Sequence, residues 1–247
     1  MRLVAGLATL LVIGAGAAGG LRAQALVADL SEHLVKVTTG FVGTDLLLFG
    51  AIEEEGDVIV VVKGPPESVK VRRKARVAGV WVNRDEVRYE NVPAYYAVAS
   101  SEPLPWIASE TLRARHEIGT DRLAMRAQVD LPVLEEREYR DALVRAKRRA
   151  GVFAAENSRV LFLGNRLFRT RIAFPSNVPT GTYTVTVFLV RDDRVVSAQT
   201  TPLLVSKTGI GADVFAFAHN YSALYGVASV LIALFAGWLA GAIFRRT

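Results

Sequence analysis

Apolar residues between positions 34 and 98 fall in short runs rich in Val, Leu and Ile, at 34–38, 45–52 and 58–63. Turn formers separate or follow them: Gly40, Gly43, Glu55-Gly56-Asp57 and Gly64-Pro65-Pro66. Runs of this length, bounded by Gly, Pro and Asp, predict strands, and their close spacing predicts antiparallel pairing. Residues 69–77 interleave basic with apolar positions, and 80–82 and 87–89 continue the strand pattern. From 103 to 151 the period changes. Residues 135–150 (EEREYRDALVRAKRRA) place Tyr139, Leu143, Ala146 and Ala150 on one helical face, with acids in the first turn and Lys147, Arg148 and Arg149 in the last. Both charge groups complement a helix dipole, and Gly151 ends the helix. Strand patterns return at 159–163 and 167–174. Residues 182–190 then alternate polar and apolar, and an Arg191-Asp-Asp-Arg194 turn leads to 195–200 and 203–205. Strict alternation gives one buried and one wet face.

The two ends differ from this middle. Residues 224–244 carry no charge and are followed at once by Arg245-Arg246-Thr247. At about 1.5 Å of rise per residue such a helix covers roughly 31 Å, one hydrocarbon core. Ile210, Val214, Phe217, Tyr221 and Leu224 lie at helical spacing, so 209–223 reads as a juxtamembrane helix leading into the span. At the other end, residues 1–25 have a single early charge at Arg2, an apolar stretch and a close on Ala23-Gln24-Ala25, the form of a cleavable signal peptide cut after Ala25 or Ala23. Basic residues stay on the cytoplasmic side, so Arg245 and Arg246 put the tail 245–247 in the cytoplasm and residues 26–208 across the membrane, as an exported domain. Tyr221, Tyr225 and Trp238 sit where aromatic anchors meet bilayer interfaces.

A Pro-x-Gly-x-Tyr approach to a long strand and hairpin, Pro179 to Tyr183 here, is common in immunoglobulin-type sandwiches. The expected fold is therefore mainly β: an immunoglobulin-like β-sandwich ectodomain with a helical insertion near 102–157, followed by one C-terminal transmembrane helix. Two small β domains are the alternative.

Charge and chemistry narrow the function. Arg2, Arg22, Arg245 and Arg246 lie outside the exported segment and no acidic residue does, so the net charge of +6 falls to +2 there. A near-neutral domain has no mandate to bind nucleic acid. Cysteine is absent, which excludes disulfides and thiolate metal sites. His33, His116 and His219 are far apart, and Glu53-Glu54-Glu55-Gly56-Asp57 lacks the alternating ligand spacing of a calcium loop. No nucleophile elbow, phosphate loop or dinucleotide fingerprint occurs, so no cofactor, metal or enzymatic activity is expected.

Several stretches together resemble one family: residues 41–51 (FVGTDLLLFGA), 60–65 (VVVKGP), Arg72-Arg-Lys74 with 79–83 (GVWVN), 178–183 (VPTGTY), and Leu224-Tyr-Gly226 with 237–240 (GWLA). This combination is similar to the uncharacterised alphaproteobacterial family of single-span proteins described as "putative transmembrane protein", over nearly the whole mature chain. The resemblance implies a topology and no catalytic residues. Genes of this family can accompany sulfite-exporter-like permeases, so the resemblance also implies an accessory subunit of an integral membrane permease.

Two contact surfaces are expected. Ser229, Ala233, Gly237 and Gly241 recur every four residues along the span and allow close approach of another helix, from a partner or from a second copy of the chain. Arg72, Arg73 and Lys74 can meet an anionic lipid headgroup or an acidic partner; the same charges on a strand edge would discourage edge pairing. The expected role is a non-enzymatic accessory subunit in the membrane. The alternatives are an envelope assembly scaffold that recognises exported proteins and, below it, a periplasmic enzyme or solute-binding component with a pocket between sandwich and insertion.

Overall fold

The run Val58-Ile59-Val60-Val61-Val62 sets the layout, because all five side chains are buried. A strand buried on both faces needs a layer on each side. The computed structural model, which describes residues 25–77, 79–209 and 217–244, supplies both. The predicted signal peptide up to residue 24 and the tail 245–247 lie outside the described residues.

In chain order the strands are β1 (Leu26–Leu30), β2 (Leu34–Val37), β3 (Gly43–Ile52), β4 (Asp57–Lys63), β5 (Pro66–Val77), β6 (Val80–Pro93) and β7 (Tyr96–Ser100). Helices α1 (Leu104–Ile107) and α2 (Glu110–His116), the short strand β8 (Arg126–Ala127) and helix α3 (Val133–Arg149) follow. Then come β9 (Ser158–Arg159), β10 (Leu161–Leu163), β11 (Leu167–Pro175), β12 (Gly181–Arg191), β13 (Arg194–Lys207) and the apolar helix α4 (Ser222–Phe244). The protein is mainly β.

One sheet has the order β1-β3-β11-β10, and a second the order β2-β13-β12-β4-β7-β9. Between them Leu26, Leu48, Phe168, Ile172 and Phe174 meet Val58, Val60, Val62, Val185, Val187 and Leu203. The opposite face of the second sheet turns Ile59, Val61, Tyr96, Val98, Phe188 and Val190 toward Leu112, Ile118, Leu123, Tyr139 and Leu143 of the helical segment. Alternation along β4, β7 and β12 thus feeds two cores at once. Among the described residues one sheet is the common wall of both cores.

The neighbour order β1-β3-β11-β10 against β13-β12-β4 has the connectivity of the A-B-E-D and G-F-C sheets of an immunoglobulin-type sandwich. The Tyr183 hydroxyl donates to the Pro179 carbonyl at 2.6 Å, closing the turn into β12 as a tyrosine corner does. The likeness goes no further, because the chain has no cysteine and Trp81 and Trp106 lie on the surface.

Local chemistry explains the joints. Asp192 and Asp193 both have positive φ, 48° and 58°, and make the two-residue turn between β12 and β13 that matches strand twist. Gly50, in mid β3, is required by close packing: a Cβ there would lie 2.5 Å from Phe168 Cζ and 2.5 Å from the Val27 carbonyl oxygen. The two pairs of separate runs predicted at 80–82 and 87–89, and at 195–200 and 203–205, are single strands, β6 and β13. Pro202 is tolerated inside β13 where it pairs with Thr184.

β4 does not end at Lys63 in any structural sense. Lys63 pairs with Tyr96 and Pro66 with Pro93. In between, the Gly64 N–H donates to Tyr95 O at 2.8 Å and the Ala94 N–H to Pro65 O at 2.8 Å. The strand pairs β4–β7 and β5–β6 therefore form one ribbon, whose first half belongs to the sandwich and whose second half leaves it. Since β4 and β13 are both antiparallel to β12, they run the same way. The ribbon and the chain bound for α4 leave the sandwich at the same end.

Candidate functional site

Helix α4 is apolar on every side, and none of its 18-residue window of highest hydropathy is covered by the rest of the chain. A helix hydrophobic all round and uncovered has lipid as its natural surroundings. Residues 217–220 are helical and join α4 through i→i−4 bonds, from the Tyr221 N–H to Phe217 O and from the Tyr225 N–H to Tyr221 O, both 2.9 Å. The expected juxtamembrane helix does not include Gly209, a bend with φ 113°, and its residues 210–216 lie outside the described residues. Phe217, Tyr221 and Tyr225 cluster, with ring centroids 5.8 and 6.4 Å from Phe217, at the N-terminal end of the span.

Along α4, Ser229, Ala233, Gly237 and Gly241 keep their four-residue spacing. The Ser229 hydroxyl donates to Tyr225 O at 2.8 Å, so it is satisfied within the helix. Open space surrounds Gly226, Gly237 and Gly241: a Cβ at any of them meets nothing within 4 Å. A second helix has room to approach there.

The three basic candidates on the β5–β6 hairpin do not form one patch. Alternation along β5 puts Arg72 and Lys74 on one face and Arg73 on the other. Arg72 Nε and Lys70 Nζ each lie 2.8 Å from the Glu86 carboxylate, and the two cations hold that carboxyl down to about 2. Arg73 bonds Glu138 of α3 at 2.7 Å and stacks over Tyr139, 4.9 Å from the ring centroid. Lys147, near the other end of α3, pairs with Glu67. Arg72 and Arg73 are thus engaged within the fold, and Lys74 alone of the three has no ion pair among the described residues.

Beyond Arg73 the hairpin continues as an unsupported tip. Val80 and Trp81 there are 64% and 66% exposed. The sequence pattern Val80-Trp81-Val82 is visible, but as part of an ordinary strand; only the register, which places these residues past the body, reveals them as surface.

A cleft of about 320 Å³ lies where the sandwich meets the helical segment, lined by Tyr96, Pro103, Arg113, Thr120, Asp121, Arg148 and Asn157 among others. Arg148 donates to the Thr120 hydroxyl at 2.9 Å, and Arg113 Nε is buried with no hydrogen-bond partner among the described residues. The Tyr96 hydroxyl beside it donates to Glu117 O and accepts the Gly119 N–H, and burial raises its pKa. Two guanidiniums at one polar concavity suit an anionic solute. A pocket between sandwich and insertion was among the sequence alternatives, but spacing gave no sign of its lining, which comes from six separate stretches of the chain.

Among the described residues no three His, Cys, Asp or Glu side chains stand close enough to hold a metal ion. His33 pairs with Asp29 at 3.0 Å, and His116 packs on Phe188, its pKa lowered by burial and by Arg115 and Lys63.

The model of the family described as "Putative transmembrane protein (Alph_Pro_TM)" matches residues 25–246, both the β domain and the apolar helix. This chain belongs to that family. Its Alph_Pro_TM character accords with α4 as a membrane anchor. No curated protein matches the sequence.

Proposed function

We propose that this Alph_Pro_TM protein is a non-enzymatic accessory subunit of an integral membrane protein, a permease in the leading case. It is anchored in the bacterial inner membrane with its β domain in the periplasm and its tail in the cytoplasm. The observation that carries the reading is the uncovered α4 with its open line of Ser229, Ala233, Gly237 and Gly241, a surface that no other part of the described chain fills. Small residues at this spacing let helix backbones approach closely in lipid. Arg245 and Arg246 support the orientation, and 24 Arg against 6 Lys accords with an alphaproteobacterial, GC-rich source. The test is purification of the tagged protein in mild detergent with identification of what it retains. Stoichiometric recovery of a permease, reduced by Gly237→Leu with Gly241→Leu, supports the reading, and recovery of the protein alone overturns it.

A second reading rests on the cleft. Arg113 and Arg148 at a polar concavity between sandwich and insertion favour a periplasmic solute-binding role for a small anion. Thermal stabilisation by small carboxylates or sulfonates, abolished by Arg113→Gln, would support it. An unchanged melting temperature across such a panel would remove it.

A further inference from the structure

We propose that the tip of the β5–β6 hairpin is a second membrane contact, which lays Trp81 and its valine neighbours into the headgroup region of the bilayer that holds α4. The inference rests on α4 being a membrane span.

Three independent observations lead there. The first is direction. The hairpin and the chain to α4 leave the sandwich at one end, because β4 and β13 are parallel to each other across β12. The loop between β2 and β3 is at that end too, since β2 runs parallel to β13 with Val37 level with Lys207, and its Val42 is 90% exposed. That is the end from which the chain leads on to the span.

The second is reach. The twelve residues of β5 span about 40 Å at about 3.3 Å each. From Lys207 to residue 217 the chain covers at most about 35 Å when fully drawn out. The outer end of the span therefore lies no farther beyond β13 than the hairpin is long, so the tip is long enough to reach the lipid headgroups.

The third is chemistry. From residue 68 to 84 there is no acidic side chain, while Lys70, Arg72, Arg73, Lys74, Arg76 and Arg84 are basic. Glu86 and Glu138 neutralise the three nearest the body, Lys70, Arg72 and Arg73, which leaves Lys74, Arg76 and Arg84 at the exposed end with Val80, Trp81 and Val82. Among the described residues Arg76 donates to the Gly79 carbonyl alone, at 3.2 Å. Tryptophan with aliphatic neighbours and lysine or arginine is the composition that settles at an anionic bilayer interface, the ring at headgroup depth and the cations on lipid phosphate. An acidic protein surface would attract the cations but gives no reason for the tip to stand at the membrane end.

The experiment uses the full chain in vesicles containing anionic lipid, with or without lipids brominated high on the acyl chain. Trp106→Phe with Trp238→Phe leaves Trp81 as the one emitter among the three tryptophans. The proposal expects blue-shifted Trp81 emission that loses intensity with brominated lipid, and a smaller loss after Lys74→Ser, Arg76→Ser and Arg84→Ser. A second variant, Trp81→Phe with Trp106→Phe, retains Trp238 and reports on α4. Quenching of Trp238 without quenching of Trp81 overturns the hairpin contact and leaves the span intact. Quenching of neither overturns the membrane reading itself. Trp81 shielded from aqueous acrylamide only when a co-purified protein is present assigns the tip to that protein and also overturns the proposal.

Discussion

The Tyr96 hydroxyl donates to the Glu117 carbonyl at 2.8 Å, while the neighbouring Gly119 N–H donates back to it at 2.7 Å. Glu117 holds a left-handed conformation, φ 53°, at the end of α2. One phenol from the common sheet thus satisfies two backbone groups of the turn that ends the helix. Tyr96→Phe leaves both without a partner in a buried setting and should cost about 1–3 kcal/mol. Denaturant unfolding of the full protein in detergent, showing a lower midpoint at unchanged slope, checks it.

Gly50→Ala should destabilise by about 1–3 kcal/mol or more, since the added methyl meets both the Phe168 ring and the Val27 carbonyl. The double change Gly50→Ala with Phe168→Leu separates the two causes. If the ring is the main obstacle the pair is less damaging than the single changes summed, and if the carbonyl is, the effects add.

Acid should weaken the hairpin before it affects the core. Lys70 and Arg72 depress the folded-state pKa of Glu86 to about 2 from an ordinary 4.5. Its contribution is therefore complete above about 4.5 and is lost as the pH falls toward about 2. The group is partly exposed, so salt screens the effect. The stability difference between wild type and Glu86→Gln should shrink over that acid window, and added salt should shrink it at neutral pH. A difference that does not change with pH would show that the ion pairs contribute nothing.

The absence of native cysteine allows a clean topology test. Glu55→Cys, at an exposed turn, should react with a membrane-impermeant maleimide in spheroplasts, and Thr247→Cys only after lysis. The reverse pattern would invert the proposed orientation.

Gly237→Leu with Gly241→Leu should leave unfolding of the β domain within about 0.5 kcal/mol of wild type, because the helix surface at both positions is open. A large shift would mean that α4 supports the fold directly.

Elements with a strong period were readable in the sequence. The alternation of β12, the apolar run of β4, the amphipathic α3 and the uncharged α4 all stand where the pattern put them, within a few residues. The first strand, Leu26–Leu30, was not anticipated, because five residues beside a leader-like segment carry too short a pattern. The contact surfaces were less readable. Arg72 and Arg73 look like a basic patch in one dimension, yet they face opposite ways and find Glu86 and Glu138, 14 and 65 residues away. Ion pairing of that range has no local signature. A pocket between sandwich and insertion was among the alternatives, but Arg113 and Arg148 as its lining were hidden for the same reason.

The sheet shared by two cores gives the helical segment a standing its position in the chain disguises. Residues 102–157 interrupt the strand order as a passenger would, yet their removal would strip the cover from Ile59, Val61, Tyr96, Val98, Phe188 and Val190. What remained would be a sandwich with a greasy outer wall, prone to stick to its own copies. The segment cannot be shed or exchanged as a module, and heat or denaturant should melt both halves in a single transition. A lineage carrying this fold is free to vary its exposed loops, but must keep the insertion whole.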